Sequence, residues 1–514
     1  MLKLRRQSVF AFVLFVMLSA FPLSVFADVG DFGFFGGITN GRKLPKTTEI
    51  LLANTTTTNN NKNKNTEFIY KEEVFLSGVP FMFEGLMTIK QSGEVNNNTN
   101  VGTYNVTYTI EPNGAALSPA QINREVQFKV NWRREGSQII KDMVASDWTE
   151  TITTPADTYT LDFDTSYFNV SIIEDHTPAV TYYRGDISER ASYGDGGGAP
   201  VVTSLETYGS FYGYNNAWSS TETHRIDAVV SNGATDVLYQ VRPSVSMSKM
   251  LEYTANEPTA ISFPGNFKEV MSNDSGLAYN VFGNTPTSGT VSVLSPNTFE
   301  QLIAPDMSFL RGNPAEDDIK RLFAMQILEG EPKFYIPNQA ITRKQFTAAV
   351  VKALKLPVTV SAQASSNAAK RNRSPVVLLF PDVTQNDPYF DYIRAAYESG
   401  IAIGRSNGMF YGDSSLEMQE ALVIMLRSLG LENLGLDPTP ETVFVDDAEV
   451  ADWAKRELYA AERIGLISAD ADGKINPKRI ITKAEAAALI NHLTEYMRSD
   501  LRTDYTTHIV DYVL

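Results

Sequence analysis

The chain has 514 residues, with 44 Lys and Arg against 60 Asp and Glu, a formal charge of −16 and no cysteine. So acidic a surface excludes nucleic acid as a partner, because phosphate contacts need clustered Lys and Arg. The lack of thiols excludes disulfide stapling and thiol catalysis, and the length predicts two to four domains.

Lys3, Arg5 and Arg6 precede an apolar run from Val9 to Leu18, and Val25-Phe26-Ala27 fits the minus-three to minus-one positions of a cleavage site. Residues 1–27 are therefore predicted to be a secretory signal peptide. Removing its three cations takes the charge from −16 to −19. An uncleaved anchor is the competing reading, and the short run broken by Ser19 and Pro22 argues against it. No later stretch is long and apolar enough to span a bilayer, so no membrane association is expected after cleavage and any hold on a surface should be non-covalent. Residues 28–66 form an N-terminal segment that ends in the polar tract Asn54–Asn65, which has nothing to bury and reads as a linker.

From residue 67 to 300 the apolar pattern has period two. Tyr104, Val106, Tyr108 and Ile110 alternate with polar residues, as do Val126, Phe128, Val130 and Trp132. Tyr159, Leu161 and Phe163 repeat the pattern, followed by Phe168, Val170 and Ile172 and then by Ile226, Ala228 and Val230. One wet and one buried face predict antiparallel, sandwich-like all-β structure in one or two domains. Asn96-Asn97-Asn98, the glycine run from Gly194 to Gly198 and Asn273-Asp274-Ser275-Gly276 read as turns.

Beyond Pro305 the period becomes helical. Phe346, Val350, Ala353 and Leu354 form one stripe, Leu422, Met425, Leu426 and Leu429 a second, and Ala486, Leu489, Ile490 and Leu493 a third. Each follows an upstream helix, and Gly330, Gly400 and Gly465 are expected to cap those upstream helices in left-handed conformation. The unit of helix, turn or hairpin, helix thus occurs three times, at 305–358, 379–432 and 443–498. The stretch 359–378 is a linker between the first two, and 499–514 is a tail. A two-helix unit cannot bury its stripe alone, so the copies must pack together.

These copies resemble the S-layer homology domains. Copy three carries Phe444-Val445-Asp446, Trp453-Ala454, Gly465-Leu466-Ile467, Asp472-Gly473-Lys474-Ile475-Asn476-Pro477 and Ile481-Thr482-Lys483-Ala484-Glu485. Copy two matches through Phe380-Pro381-Asp382-Val383, Gly400-Ile401-Ala402-Ile403-Gly404 and Asn407-Gly408-Met409-Phe410. Copy one matches through Gly330, Phe334-Tyr335-Ile336-Pro337 and Ile341-Thr342-Arg343. The resemblance implies a mostly α, three-fold bundle that binds a cell-wall polysaccharide, often a pyruvylated one, in grooves between copies. It implies glycan-binding positions at Arg343, Lys483, Asp382, Asp446, Trp453, Gly330 and Gly404. Copy two departs from the pattern with Met418 in place of the cation, and copy one with Phe309-Leu310-Arg311 in place of the Phe-x-Asp opening.

The residues also speak for themselves. Thr342 with Gln345, and Thr482 with Glu485, have the spacing of capping boxes, which accounts for those four by helix initiation alone. Arg343 and Lys483 are not explained that way, since a cation in a first helical turn opposes the helix dipole by about 0.3–1 kcal/mol. A bound sugar carboxylate at free helix N–H groups would reverse the sign, whereas side chains bending into water would need no ligand. Asp382 and Asp446 equally suit caps of the first helices, and Trp453 suits a core position.

No catalytic residues, cofactor or metal are expected. The four histidines show no metal-ligand spacing. Gly404-Arg405-Ser406-Asn407-Gly408 lacks the strand before it that a nucleophile elbow needs, and Asp470-Ala471-Asp472-Gly473 lacks the glutamate that a calcium loop needs. Arg184-Gly185-Asp186 reads as a strand end. Asp162 and Asp164 read as a solvated strand face, and Tyr208–Trp218 as sheet core and loop packing. The expected protein is an exported, non-enzymatic surface protein anchored to wall polysaccharide, with a β-rich structural region and self-assembly on the surface as a further expectation. The alternative is an anchored glycan-active enzyme or carbohydrate-binding adhesin working through the β region.

Overall fold

The alternating pattern produces long strands whose inward residues share one core. The computed structural model describes residues 32–41 and 63–501, apart from 97–98, 115–117, 195–202, 233–236, 243, 256–263, 272–275, 284, 294–298, 304–305, 359–378 and 406. The predicted signal peptide, most of the polar tract, the linker at 359–378, residues 502–514 and the greater part of the three predicted turns lie outside the described residues.

After a two-residue strand β1 (Ile38–Thr39), the chain runs as an antiparallel meander. Its members are β2 (Asn63–Val74), β3 (Phe81–Ser92), β4 (Val101–Pro112), β5 (Gln121–Glu135) and β6 (Gln138–Thr153), each paired with the next. The short β7 (Thr158–Leu161) lies on β6, which also pairs with β8 (Tyr167–His176). β9 (Val180–Gly194), β10 (Thr203–Asn216) and β11 (Ser219–Asn232) continue the order. Six further strands between Val237 and Ile303 join through β11, giving, among the described residues, one connected antiparallel sheet of 17 strands. Met87, Tyr108, Phe128, Phe168, Ile187 and Phe211 meet in a single core, so strands from β3 to β10 fold over one interior, as a sandwich does. Phe34 and Phe35 enter that interior from the N-terminal side, against Phe211 and Phe168.

Several expectations need correction here. Asn63–Asn65 belong to β2 and not to a linker. The strand at Tyr159 stops at Leu161; Phe163–Thr165 is a 3-10 turn, and Asp162 caps it by accepting from Asp164 N–H at 3.1 Å. Arg184-Gly185-Asp186 lies inside β9, where Gly185 packs so closely that a Cβ would sit 2.2 Å from the Ser171 carbonyl. Of the aromatic stretch, Phe211, Tyr214 and Trp218 are core, whereas Tyr208 is exposed.

The helical pattern gives three pairs: α1 (Glu316–Ala324) with α2 (Arg343–Ala353), α3 (Phe390–Glu398) with α4 (Met418–Leu429), and α5 (Asp452–Arg463) with α6 (Lys483–Glu495). A single π turn carries α6 on through Asp500, past the Arg498 boundary read from the sequence. Gly400 and Gly465 follow α3 and α5 with φ of +75° and +67°. In copy one that place is taken by Gln326 (φ +57°), and Gly330 (φ +97°) turns the chain four residues later. Gly330 is therefore not the helix cap.

Around a pseudo-three-fold axis the segments just before α2, α4 and α6 pair cyclically. Ile341 N–H donates to Ile481 O (3.1 Å), Ile481 N–H to Leu416 O (3.0 Å) and Leu416 N–H to Ile341 O (3.1 Å). Ile341, Leu416 and Ile481 are all buried there. No copy can close this ring alone.

The opposite end of the bundle rests on the β region. The last turns of α2, α4 and α6 leave carbonyls without helical partners, and the β8–β9 and β10–β11 turns supply donors. Trp218 Nε1 donates to Ala353 O (2.8 Å), Ala179 N–H to Ser428 O (3.0 Å), and Ser219 Oγ and Asn216 Nδ2 to Met497 O (2.6 and 3.1 Å). Lys355 Nζ lies 4.4 Å above the Trp218 ring. Val180, Tyr182, Tyr214, Ala217 and Trp218 are continuous with the bundle core.

Candidate functional site

The helix starts are built as the spacing requires. Thr342 accepts from Gln345 N–H and Thr482 from Glu485 N–H (3.4 and 3.2 Å), while the Gln345 and Glu485 side chains accept back from the cap N–H groups (3.2 and 2.8 Å). In copy two Glu420 accepts from Glu417 N–H (3.2 Å).

The next N–H groups are not free, however. Arg343 and Lys344 N–H donate to Ser414 O and Gly412 O, Met418 and Gln419 N–H to Arg479 O and Pro477 O, and Lys483 and Ala484 N–H to Gln339 O and Pro337 O. Neighbouring copies occupy the helix ends, so the expected anion site on free helix N–H groups does not exist. What remains is the side chain of the first residue, directed into the seam between copies.

Arg343 crosses from α2 into copy two. Its Nη1 donates to Glu420 Oε1 (2.8 Å) and its Nη2 to Ile403 O (3.0 Å), and its guanidinium lies 5.2 Å over Phe410. Arg343 is only 8 % exposed, and its Nε is buried with no hydrogen-bond partner among the described residues. It lines a crevice of about 500 Å³ with Gly404, Arg405, Gln419, Glu420, Arg427 and Trp453. Arg405 shares the Glu420 carboxylate (3.1 Å), and Arg427 is held by Glu457 of α5 (2.6 Å). Trp453 stands half-exposed beside them, not in the core.

The lining carries three guanidiniums, Arg343, Arg405 and Arg427, and two carboxylates, Glu417 and Glu420, while Glu457 behind it holds Arg427. Burial pushes the Arg343 pKa down. Glu420 opposes that shift, and the like charges of Arg405 and Arg427 add to it. The charges thus balance, but Arg343 and Arg405 share the single Glu420 carboxylate, and Arg343 Nε has no partner among the described residues.

Lys483 occupies the corresponding seam between copies three and one. Its Nζ donates to Gln339 Oε1 (2.7 Å) and sits 5.8 Å from the Tyr335 ring. Burial lowers its pKa. The space there is about 70 Å³, lined also by Glu329, Lys352 and Tyr389. In the third seam Met418 packs against the core.

Asp382 and Asp446 neither cap the first helices nor line the Arg343 crevice. Each clamps its own hairpin: Asp382 accepts from Phe410 and Tyr411 N–H (2.9 and 2.6 Å), and Asp446 from Ile475 and Asn476 N–H (3.1 and 2.7 Å). The left-handed residues Tyr411 and Asn476 show why the clamp is needed. Gly404 lines the crevice and is packed so tightly that a Cβ would lie 2.7 Å from Phe380. Gly330 faces open space. Gly404–Gly408 is a hairpin in which Arg405 N–H donates to Met409 O (2.9 Å), and Ser406 lies outside the described residues. Asp470 accepts from Asp472 and Lys474 N–H (both 2.9 Å), which makes that stretch a turn. Sequence reasoning missed Arg405, Arg427 and Glu420. Arg405 was visible beside Gly404, but nothing local distinguished it from a hairpin charge.

A three-copy helical bundle with charged seams, continuous with a β domain, defines a multidomain repeat protein. Residues 379–416 and 443–487 match the S-layer homology domain, so the chain is a cell-surface protein carrying such domains in its C-terminal region. Copy one, outside those matched residues, is supplied by the structure. The chain is similar to Exoglucanase XynX of Acetivibrio thermocellus (31 % identical over 217 residues, 41 % of this chain and 18 % of the relative). It is also similar to an amylopullulanase of Thermoanaerobacterium thermosulfurigenes (30 % over 221 residues, 41 % and 11 %). An S-layer protein of Bacillus thuringiensis subsp. finitimus matches at 26 % over 216 residues (41 % and 24 %). The chain spans less than a quarter of the length of each of these relatives. Among the described residues no helix is long and apolar enough to cross a membrane.

Proposed function

We propose that the repeats hold the chain on the cell wall by binding an acidic polysaccharide, with its carboxylate in the Arg343 crevice. The observation that carries this is the buried, unpartnered Arg343 Nε in a seam where Arg343 and Arg405 share the one Glu420 carboxylate. A guanidinium fork suits a planar carboxylate, and the exposed Trp453 ring offers a stacking face for the sugar that bears it. A pyruvyl ketal has that chemistry. Relatives with names as unlike as exoglucanase and S-layer protein share a stretch of similar length with this chain, as a common anchor would. The relatives called S-layer proteins support a place in surface assembly.

The β region is read as structural and non-enzymatic. Its convergent carboxylates Glu72 and Glu150 are both bound to Arg124 (2.8 Å each) and buried, a pairing that supports a structural role.

The test is sedimentation of the full chain with purified cell walls, before and after mild acid strips the pyruvyl groups. Arg343→Gln, and separately Arg405→Ala at an exposed position that leaves Glu420 paired, should each reduce retention at least tenfold. Stripping should do the same. Undiminished retention of both variants overturns the reading.

A further inference from the structure

The three seams are related by the same pseudo-symmetry, yet they are not equivalent, and their differences all point one way. The first residue of the second helix is Arg343, Met418 and Lys483 in turn, so one seam has no cation at its head. Met418 packs against the core there.

The Lys483 seam has the cation but not the room: about 70 Å³ against about 500 Å³. Tyr335 and Tyr389 line the narrow Lys483 seam, whereas Trp453 of copy three stands at the wider Arg343 crevice. Lys483 donates there to the neutral Gln339 amide, and Lys352 is paired with Glu329. In the Arg343 seam, by contrast, a guanidinium nitrogen is left without a partner and Arg405 remains half-exposed.

Building on the anchoring reading, we infer that this chain is monovalent: the Arg343 crevice takes one acidic sugar residue, and the other two seams take none. The consequence is physical. A chain with two working seams would gain a second, intramolecular binding event on the same polymer, with avidity far above either contact. This chain has one contact, so its residence on the wall follows that contact alone unless copies associate side by side.

The test uses the full chain and the smallest size fraction of muramidase-released wall polysaccharide that competes with wall sedimentation. Calorimetric titration should give one site per chain. Lys483→Gln should leave the Kd within twofold, and Arg405→Ala should weaken it at least tenfold. The long, unfractionated polymer mixed with the chain should show no cross-linked particles by light scattering. Two or three sites per chain, a tenfold loss in the Lys483 variant, or cross-linking would each overturn monovalency while leaving the anchor intact. Failure of the wild-type chain to bind any fraction would remove the anchoring reading and this inference with it.

Discussion

Glu189 gives the β core a pH dependence that can be worked out from its surroundings. It lies on β9, fully enclosed, in a space shared with Arg124, Tyr193 and Thr207. Burial raises its pKa from an ordinary 4.5 to about 8; Arg124 pulls the other way but is already bound to Glu150 and Glu72. The group therefore keeps its proton in the folded chain at neutral pH. Because the folded pKa is the higher one, its contribution to stability is fully present below about pH 4.5. It is lost as pH rises to about 8 and is constant above that. A shift from 4.5 to 8 is 3.5 units, and at about 1.4 kcal/mol per unit the swing is of the order of 3–5 kcal/mol. Glu189→Gln keeps the size and removes the proton. Urea unfolding of both proteins at pH 5, 7 and 9 cancels every other titrating group in the difference. The glutamine variant should gain several kcal/mol on the wild type between pH 5 and pH 9. A difference that does not change with pH refutes the reasoning.

Two further outcomes follow from the packing. Trp218→Ala removes a buried indole, its hydrogen bond to Ala353 O and its contact with Lys355. It should cost about 3–5 kcal/mol and split one calorimetric transition into separate β and bundle transitions; a single unshifted transition would show that the two parts are not coupled there. Asp446→Ala leaves the Ile475 and Asn476 N–H groups without their acceptor and should cost about 1–3 kcal/mol, read as a lowered denaturant midpoint, with little change when Asp452, an exposed acid, is replaced instead.

Much of this was legible in the sequence because it rests on local rules. Alternation at Tyr104–Ile110 and Val126–Trp132 put those residues in the core, since strand geometry admits only two faces. Thr342 and Thr482 announced helix starts, because a cap bonds within three residues of itself. Gln326 was missed as a left-handed cap because glycine is the usual signal and Gly330 stood nearby. The helix-end anion site failed for a non-local reason. Ser414, Pro477 and Gln339 are far in sequence from the helices whose N–H groups they satisfy.

By itself the sequence determined the division into a β-rich and a helical region, the three-fold repetition and the presence of cations at Arg343 and Lys483, all of which depend on spacing within a few residues. Tertiary structure decided how each cation is surrounded. The lining of a seam depends on Tyr389 or Trp453 arriving from another copy, and whether a guanidinium is satisfied depends on Glu420 and Ile403 meeting only two of its three nitrogens. Those are properties of packing between copies, where chain distance carries no information about contact.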